Sequence, residues 1–361
     1  MIGERVRLAR DYTGLSQARL ANQVAVSQST VAYIERERFV PSDALLRKIA
    51  GTTGFPLPFF HKGDLDPFPL GSLLFRARAK VPMATRQDAH AKARVAWELA
   101  RYLLGRVKKW PVRLPQCTGI PAAQAADAVR IGLGLPAEDP VASLVPAMER
   151  AGVLVTAILT TGPGLDGFCA WAGTNAQRPV MVLDSATPGD RMRWSAAHEL
   201  GHLVLHRTVR GGGDAAEREA DAFAAQFLLP ENAMRRELAA PVTLTGLAAL
   251  KARWRVSIQA LVRRARELEI ITDRQYRYVF EQIGKQGWKT KEPIDVPREQ
   301  PQALTQLIQA VYGTADNLRR PLLEAGLPPS LLQSISWPVL APVPAERPKV
   351  IVLHAGYRTE R

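Results

Sequence analysis

The chain has 361 residues and carries 48 Lys and Arg against 34 Asp and Glu, a formal net charge of +14. Two cysteines exclude a disulfide scaffold, no apolar run is long enough to span a bilayer, and no apolar signal core follows Met1, so a soluble cytoplasmic protein with no membrane partner is expected. The length suggests two or three domains, and a basic surplus of this size favours polyanionic partners.

The first elements are short helices. Residues 2–11 place Ile2, Val6 and Ala9 on one face; Ser16 caps a second helix, Val24-Ala25-Val26 turns, and Ser27 caps a third helix that runs through Glu35. A helix, a tight turn and a helix form the pattern whose last helix enters the DNA major groove by its N-terminal residues. Gln28 is then placed to pair with adenine, Ser29 and Thr30 to reach bases or phosphate, and Tyr33 follows one turn on. Gln17 opens the preceding helix, where it would hold phosphate, while Val31 and Ile34 face the core. Double-stranded operator DNA is the expected partner; the same bundle can also serve as a dimerisation or protein-recognition module. The runs Leu15-Ser16-Gln17 and Val26-Ser27-Gln28-Ser29-Thr30-Val31-Ala32-Tyr33-Ile34-Glu35-Arg36 resemble the XRE, lambda-repressor-like class, and Pro41-Ser42 followed by Leu45 to Ala50 continues the likeness into a fourth helix.

A Pro-rich aromatic stretch from Gly54 to Pro69 reads as a linker. Beyond it, residues 71–114 hold eleven Lys and Arg against Asp88 and Glu98, a surplus of nine. A helix over about Thr85 to Val107 could lie along phosphate or present a solvated basic face behind a Leu/Val/Trp stripe.

Three β-rich runs follow, Val153 to Leu159, Gly167 to Trp171 and Val180 to Leu183, and then a helix-compatible run from Asp190 to Arg207. This last run contains His198-Glu199-Leu200-Gly201-His202, the spacing that puts two imidazoles on one helix face toward a single Zn2+. Glu199, about 100° round the helix, sits beside such an ion and can take a proton from water as general base. His206 is a further turn along, too far to share a tetrahedral ion with both, and reads as a core or supporting group. After Gly211-Gly212-Gly213, Asp214 is placed to cap a helix over Ala215 to Leu229 that Pro230 stops. On it Glu217 and Asp221 share a face, so that one can ligate the ion while the other orients a histidine ring; Glu219 points elsewhere.

The stretch from Ala197 to His206, the run Glu217-Arg218-Glu219-Ala220-Asp221-Ala222-Phe223-Ala224-Ala225-Gln226-Phe227-Leu228-Leu229-Pro230, the Gly167-Phe168 pair with Trp171, and Arg178 to Leu183 resemble the ImmA/IrrE metallopeptidases over about residues 115 to 235. The resemblance implies a gluzincin-like site with His198, His202 and Glu217 as zinc ligands and Glu199 as base. It further implies a habit of cleaving one or a few intracellular repressor-type regulators, and in members with an N-terminal helix-turn-helix, transcriptional regulation.

Further helices are expected over Leu244 to Arg253, Ser257 to Leu268 and Asp273 to Lys285, with a packing role favoured over DNA reading, and a strand over Lys349 to His354. The whole reads as a mainly α multidomain protein. Its expected parts are a lambda-repressor-like bundle at 1–54, a linker and basic connector at 55–114, an α+β zincin-like peptidase at 115–235, a helical, helix-turn-helix-like unit at 236–290 and a C-terminal region at 291–361. A DNA-binding regulator carrying a zinc peptidase that cleaves a regulator protein is the expected function, with a homodimer as the expected form on a palindromic operator. The competing expectation is a transcription factor whose metal domain is a silent sensor or scaffold.

Overall fold

The computed structural model describes residues 1–70, 81–160, 162, 164–207, 213–238, 241–315 and 317–335. The expected strand over Lys349 to His354 lies outside them, as do Arg76, Arg78 and Lys80 of the basic connector. Four helices open the chain, α1 (Ile2–Tyr12), α2 (Gln17–Val24), α3 (Gln28–Glu35) and α4 (Asp43–Thr53). Ser16, Ser27 and Ser42 each accept a hydrogen bond from the backbone N–H three residues on, satisfying one of the donors that every helix start leaves free. Ala25 takes the left-handed conformation that ends α2, and Val31 and Ile34 are buried as expected.

The stretch that reads as a linker sends its aromatic side chains into the core. It forms α5 (Leu57–Phe60), and Phe55, Phe59 and Phe60 are almost fully buried. The basic helix packs on its expected Leu/Val/Trp stripe, with Val95, Trp97, Leu99 and Leu103 all buried. Observed as α6 (Met83–Leu104), it runs through the middle of a hydrophobic cluster that also contains α1 and the C-terminal helices. Lys92 is buried against Asp88 and the Leu159 carbonyl, Arg94 pairs with Glu4, and Arg101 with Glu98. Part of its charge is thus met by carboxylates of the protein, while Arg101, Arg106, Lys108 and Lys109 at and beyond its C-terminal end stay exposed.

Next come α7 (Ala122–Gly132), α8 (Leu144–Arg150), β1 (Leu154–Ile158), β2 (Gly167–Ala172) and β3 (Arg178–Asp184). The sheet order is β1-β3-β2, with β1 parallel and β2 antiparallel to β3. Side chains alternate across a strand, and here both faces are covered. Leu154, Ile158, Phe168, Val180 and Val182 join the cluster built on α6, whereas Val155, Cys169, Trp171, Met181 and Leu183 join a second cluster built on α9 (Gly189–Leu205). Burial on both sides is why these strands read as nearly unbroken apolar runs.

The remaining helices are α10 (Asp214–Leu228), α11 (Glu231–Glu237), α12 (Leu244–Trp254), α13 (Ile258–Glu267), α14 (Asp273–Lys285), α15 (Ala303–Tyr312), α16 (Arg319–Glu324) and α17 (Leu331–Ser334). Gly213, not Asp214, holds the N-cap position of α10, and Asp214 contributes its charge within the first turn. Among the described residues no helix is long and apolar enough to cross a membrane, and Cys117 and Cys169 are both buried thiols not joined in a disulfide.

Buried carboxylates staple the segment after α14 to the sheet domain. Glu149 on α8 accepts from the backbone N–H groups of Gln302 and Ala303, both at 2.8 Å. Burial, only partly opposed by those two bonds, pushes its carboxyl up to about 8. The folded chain therefore keeps a proton that an unfolded Glu, with a pKa of about 4.3, gives up. That stabilisation is complete below the unfolded value and is lost as pH rises through about 8. Glu149→Gln keeps an acceptor oxygen without a titrating charge; in urea unfolding it is expected to gain about 2–4 kcal/mol on the parent when pH goes from about 5 to about 9. Parallel pH profiles for the two proteins would contradict this.

Candidate metal centre

The helix α9 has unusually little solvent contact for a helix rich in polar groups. His198, Glu199, His202 and His206 are all buried, and Glu199 is fully so. On the sheet side, Cys169 Sγ donates to the Glu199 carbonyl at 3.2 Å and Trp171 Nε1 to the Leu203 carbonyl at 3.1 Å, which fixes the edge strand β2 alongside α9. On the other side α10 comes close because Gly201 has no side chain: a Cβ there would stand 3.1 Å from the Phe223 ring and 3.2 Å from Ala220 Cα.

That approach delivers Glu217 to the two histidines. Nε2 of His198 and Nε2 of His202 are 3.1 Å apart; Glu217 Oε1 is 3.1 Å from His202 Nε2, and its Oε2 is 3.6 Å from His198 Nε2. A tetrahedral ion about 2.0–2.1 Å from each ligand would space the ligand atoms about 3.3 Å apart, so the three groups match a single cation without rearrangement. Among the described residues this is the one group of three such side chains whose ligand atoms converge. Glu217 Oε1 is moreover buried with no hydrogen-bond donor aimed at it, a cost that a cation would remove.

The outer nitrogens are occupied in a way that frees the inner ones. His198 Nδ1 lies 2.8 Å from Asp221 Oδ1, so its proton belongs there and its Nε2 lone pair points to the shared centre. His202 Nδ1 faces His206 Nδ1 at 3.1 Å, and His206 Nε2 meets Glu219 Oε2 at 2.7 Å. One consistent assignment has His206 donating to Glu219 and accepting from His202, which again leaves the His202 Nε2 lone pair inward. The electrostatics agree. Burial alone would discharge His198, but Asp221, Glu217 and Glu199 more than reverse this and raise it to about 9. Burial likewise opposes ionisation of Glu217, yet the His198 and His202 rings beside it hold it well below the usual carboxylate range. Burial lowers His206 despite its Glu219 partner. The directions for His198 and Glu217 both follow from carboxylates gathered around the imidazoles, an arrangement that favours a positive charge at the convergence point.

The structure brings together His198, His202, Glu217 and Asp221 in one cluster, with Glu199 acting electrostatically on His198, and sets His206 directly behind His202. Glu219 turns away from the convergence point and, while still solvent-exposed, pairs with His206. No local sequence signal identifies that pairing, since it depends on how α9 crosses α10. In the N-terminal bundle, Gln28, Ser29 and Tyr33 are exposed and Thr30 is half-buried, with Ser27 Oγ within 2.7 Å and 2.8 Å of the Ser29 and Thr30 hydroxyls. The Gln17 side chain is already engaged: its amide donates to Glu35, which also receives Arg10.

A His-Glu-x-x-His helix packed on a small mixed sheet, behind a helix-turn-helix bundle, defines a metallopeptidase-type domain fused to a DNA-binding-type module. Comparison with family models bears this out, matching the IrrE N-terminal-like domain over residues 148–266 and the helix-turn-helix domain over residues 2–58. The chain therefore carries an N-terminal helix-turn-helix joined to an ImmA/IrrE-like domain, and the match extends past α10 to include α12 and α13. No curated protein matches it.

Proposed function

We propose that this protein is an operator-binding transcriptional regulator whose second domain is a zinc peptidase acting on a specific regulator protein. The convergence of His198 Nε2, His202 Nε2 and Glu217 Oε1, with Glu199 next in the chain to His198, carries the peptidase reading. When bound, Zn2+ would supply Lewis-acid polarisation of the scissile carbonyl and make water acidic enough to react near neutral pH. Glu199 takes the proton of the attacking water as its oxygen adds to the carbonyl carbon, then hands that proton to the leaving amine as the C–N bond breaks. Asp221 holds the His198 ring, and the His206–Glu219 pair holds His202, so that neither imidazole pays to reorient. An extended substrate strand fits beside β2, the edge strand that lies along α9.

The test is zinc-dependent proteolysis of whole-cell protein. The zinc-loaded full chain should create a small set of new N-termini, concentrated in repressor-type proteins, and a chelator should suppress them. New termini that persist after chelation, or none with zinc present, would refute the peptidase.

The DNA reading rests on the exposed N-terminal turn of α3. Gln28→Ala in the full chain should weaken operator binding by about 1–3 kcal/mol and relax the preference at one base pair. Fluorescence anisotropy on matched and substituted operators measures both effects; unchanged affinity on both would remove Gln28 from the contact set. A homodimer on two half-sites is the assembly we infer for the operator complex.

A further inference from the structure

One helical turn before His198 and Glu199, α9 opens onto a cleft of about 1040 Å³. Trp194 and Ser195 line it, and each lies four residues before a member of the His-Glu pair, about one turn along the same side of the helix. Opposite them stand α13 and residues 288–300. That opposite wall is firmly held. Glu292 accepts from Lys251 at 2.8 Å and from the Ile258 N–H at 2.7 Å; Glu299 pairs with Arg193 and accepts from the Val145 N–H; and the Val296 and Pro297 carbonyls lie against Gly189, where any side chain would collide with them.

The charge of this cleft is not balanced. Six basic side chains line it against four acidic ones. Asp166 is paired with Arg191, and Asp190 and Glu292 share Lys251. Arg263, Lys289 and Lys291 remain exposed with no acidic partner among the described residues, and Arg298 donates to the Ala186 and Thr187 carbonyls; against these four cations stand Asp295 and the one negative charge that Lys251 leaves on Asp190 and Glu292, so the lining keeps a net charge of +2. Between these cations the half-buried Trp194, Trp288, Ile294 and Val296 supply apolar surface.

We propose that this cleft is the specificity subsite of the peptidase, and that it selects protein substrates in which an acidic run adjoins apolar residues close to the scissile bond. The inference rests on the peptidase reading above. Its own argument is position together with chemistry: the cleft continues the helix face that bears the two histidines, its apolar wall suits side chains of a peptide, and its unpaired cations attract carboxylates and exclude lysine.

The test uses zinc-loaded full-length protein carrying Glu199→Gln, so that bound peptide is not consumed, and two short fluorescein-labelled peptides of one apolar sequence bearing either a Glu triplet or a Lys triplet. The Glu peptide should bind about tenfold or more tightly than the Lys peptide at low salt. Adding Arg263→Glu, Lys289→Glu and Lys291→Glu, all at exposed positions, should reverse the preference while leaving zinc content unchanged. Equal affinity for the two peptides, or a preference that survives the triple reversal, overturns the proposal. So does saturable binding of ATP at the cleft with no binding of the Glu peptide, which would make it a nucleotide site. Loss of the peptidase reading looks different: the Glu peptide would still be preferred, yet the parent chain would cleave nothing in the presence of zinc. Zinc-dependent cleavage with no acidic preference would sink the subsite alone.

Discussion

Glu199→Gln should keep about one metal ion per chain, yet cleave substrate about 10²–10⁴-fold more slowly. The two results together separate the base from the ligands. Gln has the same shape as Glu, and Glu199 is not among the three groups whose ligand atoms converge, so metal retention should be untouched. What disappears is the capacity to accept a proton from water and return it to the amine. His202→Ala should behave in the opposite way. It deletes one of the three convergent donors and leaves Glu217 Oε1 without its nearest partner at 3.1 Å, so metal content itself should fall. Metal analysis by mass spectrometry alongside single-turnover cleavage decides the matter. Undiminished turnover in Glu199→Gln would favour a scaffold role for the domain, and metal loss in the same variant would make Glu199 a ligand.

The parts of this protein that were legible in the sequence are those set by short periods. Four-residue spacing on one helix defines the His198 and His202 pair, and on another it groups Glu217 with Asp221; serine before a helical run marks three of the first four helix starts. The parts that were not legible depend on how elements cross. Composition cannot show that α6 threads a core and spends Lys92 on Asp88 and Arg94 on Glu4, because a basic amphipathic pattern is the same whether its partners are phosphates or carboxylates. The Gly54 to Pro69 stretch misleads because its prolines outweigh its aromatics. Three phenylalanines between positions 55 and 60 are a poor fit to a solvated linker, and all three are buried. The cleft beside Trp194 was invisible because its second wall lies about a hundred residues downstream, joined by Glu292 and Glu299 to α9 and α12.

The distance between α9 and α10 is the quantity on which the metal centre is most sharply dependent, and Gly201 sets it. Two effects compete when that residue acquires a side chain. A helix-interior glycine costs about 0.5–1 kcal/mol relative to alanine, so Gly201→Ala gains propensity. Against this, the new Cβ would stand 3.1 Å from the Phe223 ring, which can yield by a few tenths of an ångström, and 3.2 Å from Ala220 Cα, which is backbone. For alanine the two should nearly cancel, and metal binding should weaken only slightly. Valine adds two methyl groups that have nowhere to go, since Phe223 and Ala220 are both fully buried, and overpacking of this kind costs about 1–3 kcal/mol. The relief available is to push α10 outward. Glu217 and Asp221 ride on α10, and ligand distances tolerate only about 0.2 Å of error, so Gly201→Val should weaken zinc binding at least about tenfold, as loss of ring-orienting contacts alone commonly does. Competition with a chromophoric chelator measures the affinity, and thermal unfolding of the metal-free forms measures the packing cost. A valine variant that is destabilised but binds zinc like the parent would show that Glu217 reaches the histidines by some route other than the close contact at Gly201.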